Sequence, residues 1–167
     1  MAQLDNLADA SEIAHYEEAL ARYLDLELDA ERFTALRLQQ GVYGQRQEGV
    51  NMVRIKLPGG RLDPARLAAI AEVAEKHVPQ QVAHITTRQD IQLHYIHIED
   101  TPDMMRRLAA VGITTREACG NTVRTVTADP LAGVRHHGTF DVTPYGEAIT
   151  RFFLRSPWAN SLPRKFK

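Results

Sequence analysis

Two short segments alternate apolar with polar residues, and each carries charge on its polar side. One is Asn51-Met52-Val53-Arg54-Ile55-Lys56-Leu57, the other Thr87-Arg88-Gln89-Asp90-Ile91-Gln92-Leu93-His94-Tyr95. Side chains two apart on a strand share a face. Val53, Ile55 and Leu57 therefore point one way, and Arg54 and Lys56 the other. In the second segment Ile91, Leu93 and Tyr95 share a face, with Arg88, Asp90, Gln92 and His94 opposite. A solvated sheet face has this pattern, and so does a face built to hold an anion.

The punctuation around the two strands predicts helices. Ser11 is placed to cap a helix with the stripe Ile13, Tyr16, Leu20, Tyr23 and Leu24. Asp29 caps a second, with Phe33 and Leu36 inside and Gly41 as its stop. Gly41 to Gly49 reads as a loop. Pro58-Gly59-Gly60 ends the first strand in a turn. Asp63-Pro64 then opens a helix that buries Leu67, Ile70, Ala71 and Ala74. A strand is expected near Val82 to Thr86. Thr101-Pro102 starts a further helix with Met105 and Leu108 inward and Gly112 as its stop, and Ile113 to Thr115 reads as a strand. Strand, helix, strand, strand, helix, strand is the ferredoxin-like order, an α+β fold. Cys119 to Gly133 is loop-like. Thr143-Pro144 opens a last helix with Ala148, Ile149, Phe152 and Phe153, and the chain finishes on a basic alternating segment that reads as a truncation.

Composition narrows the function classes. Of 167 residues, 44% are hydrophobic and 25% charged, as in ordinary globular domains, and the net charge is −1. A dedicated nucleic-acid binder needs a basic surplus that this chain lacks. No apolar run is long enough to span a bilayer, so no membrane partner is expected. The first ten residues lack the layout of a secretion signal. Cys119 is the single cysteine, which excludes a disulfide framework, favours a cytoplasmic setting, and leaves this chain unable to hold an iron–sulfur cluster.

Arg54, Arg88, Arg124, Lys165 and Lys167 fall in strand-like or tight-loop contexts. Guanidinium forks match oxyanions and carboxylates, and lysine supplies a compact charge. Solvated surface cations are the plainer reading. His94 and His97 are three apart, which on a strand puts them on opposite faces. His136 and His137 are adjacent in a loop, and no pattern of zinc ligands is present. Cys119 lacks the neighbours of an activated nucleophile and reads as an inert thiol.

Taken in order, four segments resemble the siroheme-dependent sulfite and nitrite reductases. They are Met52 to Gly60 (MVRIKLPGG), Thr86 to His94 (TTRQDIQLH), Asn121 to Arg124 (NTVR) with Asp129 to Gly133 (DPLAG), and Leu162 to Lys167 (LPRKFK). Any one of them is weak, and the four in sequence are specific. The resemblance covers the chain from about Gly41 onward. It implies a helical N-terminal arm and loop (1–45), a ferredoxin-like half-domain (46–115), and the truncated start of a siroheme and 4Fe-4S α/β domain (116–167). It also implies a partner in the C-terminal half of the same chain, which would complete the fold.

The implied activity is the six-electron reduction of sulfite to sulfide, or nitrite to ammonia, at siroheme coupled to a 4Fe-4S cluster. An electron donor, ferredoxin or an NADPH-flavoprotein, is implied with it. Arg54, Arg124, Lys165 and Lys167 would bind the anion. Arg88 would pair with siroheme carboxylates, Gln92 and His94 would line the same pocket, and Asn121 would sit at its edge. His84 departs from the family pattern, since relatives of the bacterial sulfite type often carry arginine there. Lys167 favours sulfite, because plant-type nitrite reductases tend to have asparagine at that place. The cluster cysteines of the family lie beyond Lys167, so this chain is not expected to be active alone. Without the resemblance, a stand-alone ferredoxin-like module for a small anion or RNA remains open, although RNA-binding versions expose aromatics where this chain has Arg, Lys, Gln and His.

Overall fold

The computed structural model describes residues 5–132, 134 and 140–163. Five helices are present among them: α1 (Ala10–Leu24), α2 (Ala30–Gln39), α3 (Pro64–His77), α4 (Thr101–Ala109) and α5 (Thr143–Phe153). Four strands, β1 (Val42–Gly44), β2 (Asn51–Ile55), β3 (Ala83–Ile85) and β4 (Ile91–Ile96), form one antiparallel sheet in the order β1-β2-β4-β3. The sheet and helices share one core. Val53, Ile55, Leu57, Ile91, Leu93 and Ile96 from the strand side meet Ile70 and Val73 of α3, Met104 and Leu108 of α4, and Tyr16 and Leu20 of α1.

The expected caps at Asp29 and Asp63 are present. Their carboxylates accept from the Arg32 and Arg66 backbone amides at 2.9 and 2.8 Å. At α1 the cap is Asp9 rather than Ser11, and its carboxylate accepts from both the Ser11 amide and hydroxyl. Leu24 lies outside the buried stripe, which runs Ile13, Tyr16, Ala19 and Leu20. In α3 the inward face is Ala69, Ile70, Val73, Ala74 and His77. Leu67, expected inside, is 55% exposed, and Ala71 is exposed too. In α5 only Thr150 is buried, while Ile149 and Phe152 face outward.

Two strand expectations change at the edges of β2. Val42 to Gly44, expected as loop, forms β1 and pairs with β2 from Val42↔Val53 to Gly44↔Asn51. Ile113 to Thr115, expected as a strand, is reduced to a single bridge, Lys56↔Thr114. The two share one edge of β2: the Arg54 amide donates to the Gly41 carbonyl at 3.0 Å and the Lys56 amide to the Thr114 carbonyl at 3.1 Å. Gly41 (φ +77°) makes the crossing possible, because a Cβ there would run into the Thr115 and Arg54 carbonyls.

The alternating segment Thr87 to Tyr95 also differs from its expected form. Its strand begins at Ile91, so Arg88 sits in the tight turn before it, with its amide donating to the Thr86 hydroxyl at 3.2 Å. Near its end, the register slips by one residue between Val53↔Leu93 and Asn51↔Ile96. Tyr95 occupies this bulge with φ +61°. Ile96 consequently takes the buried position that alternation assigns to Tyr95.

Candidate functional site

The face of the sheet opposite the core carries a polar row across three strands. Register places Arg54 of β2 opposite Gln92 of β4, and Gln92 opposite His84 of β3. With its amide oxygen turned toward Arg54, Gln92 accepts from Nε at 3.0 Å and also from Nη2. Arg54 Nη1 donates to the Ala118 carbonyl at 3.3 Å. His94, two residues along β4, packs its ring edge-on to His84 with centroids 4.9 Å apart. Burial, then His84 and Arg54, push the His94 imidazole below its usual range, which favours its neutral form beside the guanidinium.

Arg124 joins this row from the irregular segment after Cys119. It is half-buried, and burial pushes its guanidinium down, with Arg54 and Arg88 adding like-charge repulsion and Cys119 and Asp90 opposing it. Arg54, Arg88 and Arg124 thus share one electrostatic neighbourhood. No ion pair engages any of the three among the described residues. Asn121 is exposed on the same segment, and its carbonyl accepts from the Leu162 amide at 2.8 Å. The approach to the C-terminus therefore lies against the loop that carries Arg124. Lys165 and Lys167 lie outside the described residues.

Beneath the row sit groups whose roles the sequence leaves hidden. Asp90, which alternation places on the polar face, is only 1% exposed. Its carboxylate accepts from the Leu57 amide at 3.0 Å and from the Thr125 hydroxyl at 2.9 Å. Burial pushes its carboxyl up, against those two bonds and the charges of Lys56 and Arg54. Lys56, also predicted outward, is 5% exposed, and its ammonium donates to the Glu117 carbonyl at 3.3 Å. Burial pushes that ammonium down, with Asp90 and Glu117 opposing. Both are covered because the 117–125 segment folds back over the end of β2. Cys119 is buried, its thiol donating weakly to the Gly41 carbonyl at 3.6 Å, and burial pushes the thiol up, away from a reactive thiolate. No group of three or more His, Cys, Asp or Glu side chains placed to hold a metal is found among the described residues, and no helix there is long and apolar enough to cross a membrane.

Such a face offers planar cationic forks, two imidazoles and amide donors, with acidic groups withdrawn beneath it. That donor set suits oxyanions and carboxylates. Comparison with known proteins points the same way. Residues 43–111 match the family described as nitrite/sulfite reductase ferredoxin-like half domain, and residues 119–167 match the nitrite and sulphite reductase 4Fe-4S domain. A sulfite reductase [ferredoxin] of Mycobacterium tuberculosis is 33% identical over 144 residues, covering 76% of this chain and 26% of that protein. An assimilatory ferredoxin-dependent nitrite reductase of Haloferax mediterranei is 35% identical over 137 residues, covering 75% of this chain and 23% of that protein. The solved structure of the Mycobacterium tuberculosis NirA protein superposes with a TM-score of 0.78 at 27% identity, covering 98% of this chain and 35% of that one. The chain thus spans about a quarter of the length of these curated relatives.

Proposed function

The chain belongs to the nitrite and sulfite reductase family, and from that premise we propose that it forms one wall of the siroheme and oxyanion site of an assimilatory sulfite reductase, with nitrite as the alternative substrate. The observation that carries the reading is the shared neighbourhood of Arg54, Arg88 and Arg124 beside the polar row of the sheet. Three guanidiniums that make no ion pair among the described residues are costly to gather unless an anion completes them. Siroheme carries many carboxylates, so the donor set fits it. Arg88, Gln92, His94 and Asn121 would hold the cofactor; Arg54, Arg124, Lys165 and Lys167 would hold the substrate anion.

Siroheme, when bound, supplies the electron-transfer chemistry. The residues of this chain supply charge and orientation. Arg54 is fixed by Gln92 and the Ala118 carbonyl, so its fork is already oriented before an anion arrives. Fixed donors of this kind stabilise the negative charge that grows on oxygens as they become leaving water. Lysine ammonium groups can also pass protons. The 4Fe-4S cluster of the family does not fit here, since one cysteine cannot supply its thiolates, and no step is assigned to it. The division into an arm (1–45), a half-domain (46–115) and the start of a siroheme domain (116–167) belongs to the same reading. So do a ferredoxin donor, supported by the relatives' names, and a cytoplasmic setting, supported by the unpaired thiol of Cys119.

The test is expression of the complete reading frame containing this chain in a siroheme-producing host. A heme-like absorption band and reduction of sulfite by reduced ferredoxin are expected. Arg124→Ala should lower kcat/KM for sulfite about 10- to 100-fold, the value of a charged hydrogen bond. A frame without further cysteine pairs, or a loaded protein that reduces neither anion, refutes the proposal.

A further inference from the structure

Glu117 joins the loop that carries Arg124 to the stretch after α5 and has no role in the reading above. It is 1% exposed and adopts φ +55°, a left-handed conformation uncommon for a residue with a side chain. Its backbone amide donates to the Gln39 carbonyl at 2.7 Å. Its carbonyl accepts from Lys56 Nζ at 3.3 Å and the Thr122 hydroxyl at 3.3 Å. Its carboxylate accepts the Arg155 backbone amide on both oxygens, at 3.1 and 3.2 Å, and lies 3.4 Å from Arg116 Nε.

Arg155 is itself left-handed, with φ +66°. Two strained residues from distant parts of the chain therefore meet in one contact. Strain of this kind persists only where surrounding bonds hold it, and it collects at functional sites. The Arg155 side chain donates from Nη2 to the Leu7 carbonyl and Glu12, both at 2.9 Å, so the contact is locked from the far side by the N-terminal arm. A few residues on, the Asn121 carbonyl takes the Leu162 amide. The 117–124 loop and the 155–162 stretch are thus clamped twice, once at Glu117 and once at Asn121. The loop so held presents the Ala118 carbonyl that orients Arg54, and it carries Arg124.

We infer that Glu117 is a positioning residue of the anion site, whose carboxylate fixes the 155–162 stretch against the loop that sets Arg54 and Arg124. The inference rests on the reductase reading for its effect on the substrate, while the clamp itself is testable without it. Alanine removes the acceptor altogether; glutamine keeps one oxygen for the Arg155 amide and removes the charge beside Arg116. A merely structural role would lower stability and siroheme content yet leave the sulfite KM of each loaded site unchanged.

The experiment uses the siroheme-loaded protein with Glu117→Gln and Glu117→Ala. Amide exchange at Arg155 and Leu162 should quicken about tenfold or more in E117A, and less in E117Q, while Leu93 in the core is unaffected. Sulfite KM per bound siroheme should rise about tenfold in E117A, with E117Q between it and wild type. Unchanged exchange at Leu162, or a wild-type KM in E117A, overturns the inference. Should E117A fail to take up siroheme, the E117Q values decide by the same criteria. A wild-type protein that reduces neither anion refutes the reductase reading instead, and the exchange data still judge the clamp.

Discussion

Asp90→Ala probes the join between the sheet and the loop that carries Arg124. Asp90 is 1% exposed and serves two buried donors, the Leu57 amide and the Thr125 hydroxyl. Each donor left unpaired costs about 1–3 kcal/mol, or about 2–6 kcal/mol together. Removing a carboxylate that burial disfavours offsets part of this, so about 2–4 kcal/mol is expected for Asp90→Ala. Asp90→Asn keeps an oxygen for Leu57 and turns its amide toward the Thr125 oxygen, and should cost less than about 1.5 kcal/mol. The pH dependence has a definite sign. Burial raises the folded carboxyl above its ordinary 3.8, so the folded state binds that proton more tightly than the unfolded one. The wild type's advantage from this group is complete below 3.8 and is lost as pH rises through the folded value. Asp90→Asn lacks the titration, and its stability relative to wild type should improve as pH rises through that window. Urea unfolding followed by circular dichroism at several pH values measures both effects. A loss under about 1 kcal/mol for Asp90→Ala, or a pH-independent difference for Asp90→Asn, refutes the assignment.

Two further substitutions test how the scaffold is built. Thr101 spends its hydroxyl proton on the Ile98 carbonyl at 2.6 Å, so Tyr16 must donate to Thr101 across their 2.8 Å contact. Tyr16→Phe should cost about 0.5–1.5 kcal/mol by thermal unfolding. Burial pushes that phenol up to about 12, which gives the wild type an added loss of stability above pH 10 that the variant lacks. Gly41→Ala combines a left-handed backbone with a clash against the Thr115 and Arg54 carbonyls. It should destabilise by at least about 2 kcal/mol, and weaker protection of the Arg54 amide in hydrogen exchange would trace the loss to the edge of β2.

The parts of the fold legible in the sequence are those set by local rules. Alternation over Asn51 to Ile55 and Ile91 to Leu93 fixes which side chains face the core, because burial on one face penalises any slip of register. Asp29 and Asp63 are visible as caps because a carboxylate directly before a helix satisfies an amide two or three residues on. Asp9 and Ser11 both meet that rule, and nothing local chooses between them. The three residues of β1 show no period at all. They become a strand because the edge of β2 offers unpaired groups and Gly41 lets the chain reach them. The bulge at Tyr95 is invisible for the opposite reason: the alternation continues through Tyr95, and only pairing with Asn51 forces Ile96 into its place.

The site divides along the same line. Arg54 and Gln92 point off the core by parity alone, yet their contact exists only through the register between β2 and β4. Asp90 and Glu117 answer backbone amides, at Leu57 and Arg155, far from them in sequence. A backbone amide has no residue identity, so no spacing rule can announce such a partner. The consequence for charge is specific. Alternation would leave Asp90 on the same face as Arg54 and Arg88, where it would neutralise them. Folding draws it under the loop and pairs it with Leu57 and Thr125, while Arg54, Arg88 and Arg124 stay accessible to the face. The withdrawn carboxylate still acts on Arg54 and Arg124 through its charge, but it forms an ion pair with none of the three arginines among the described residues.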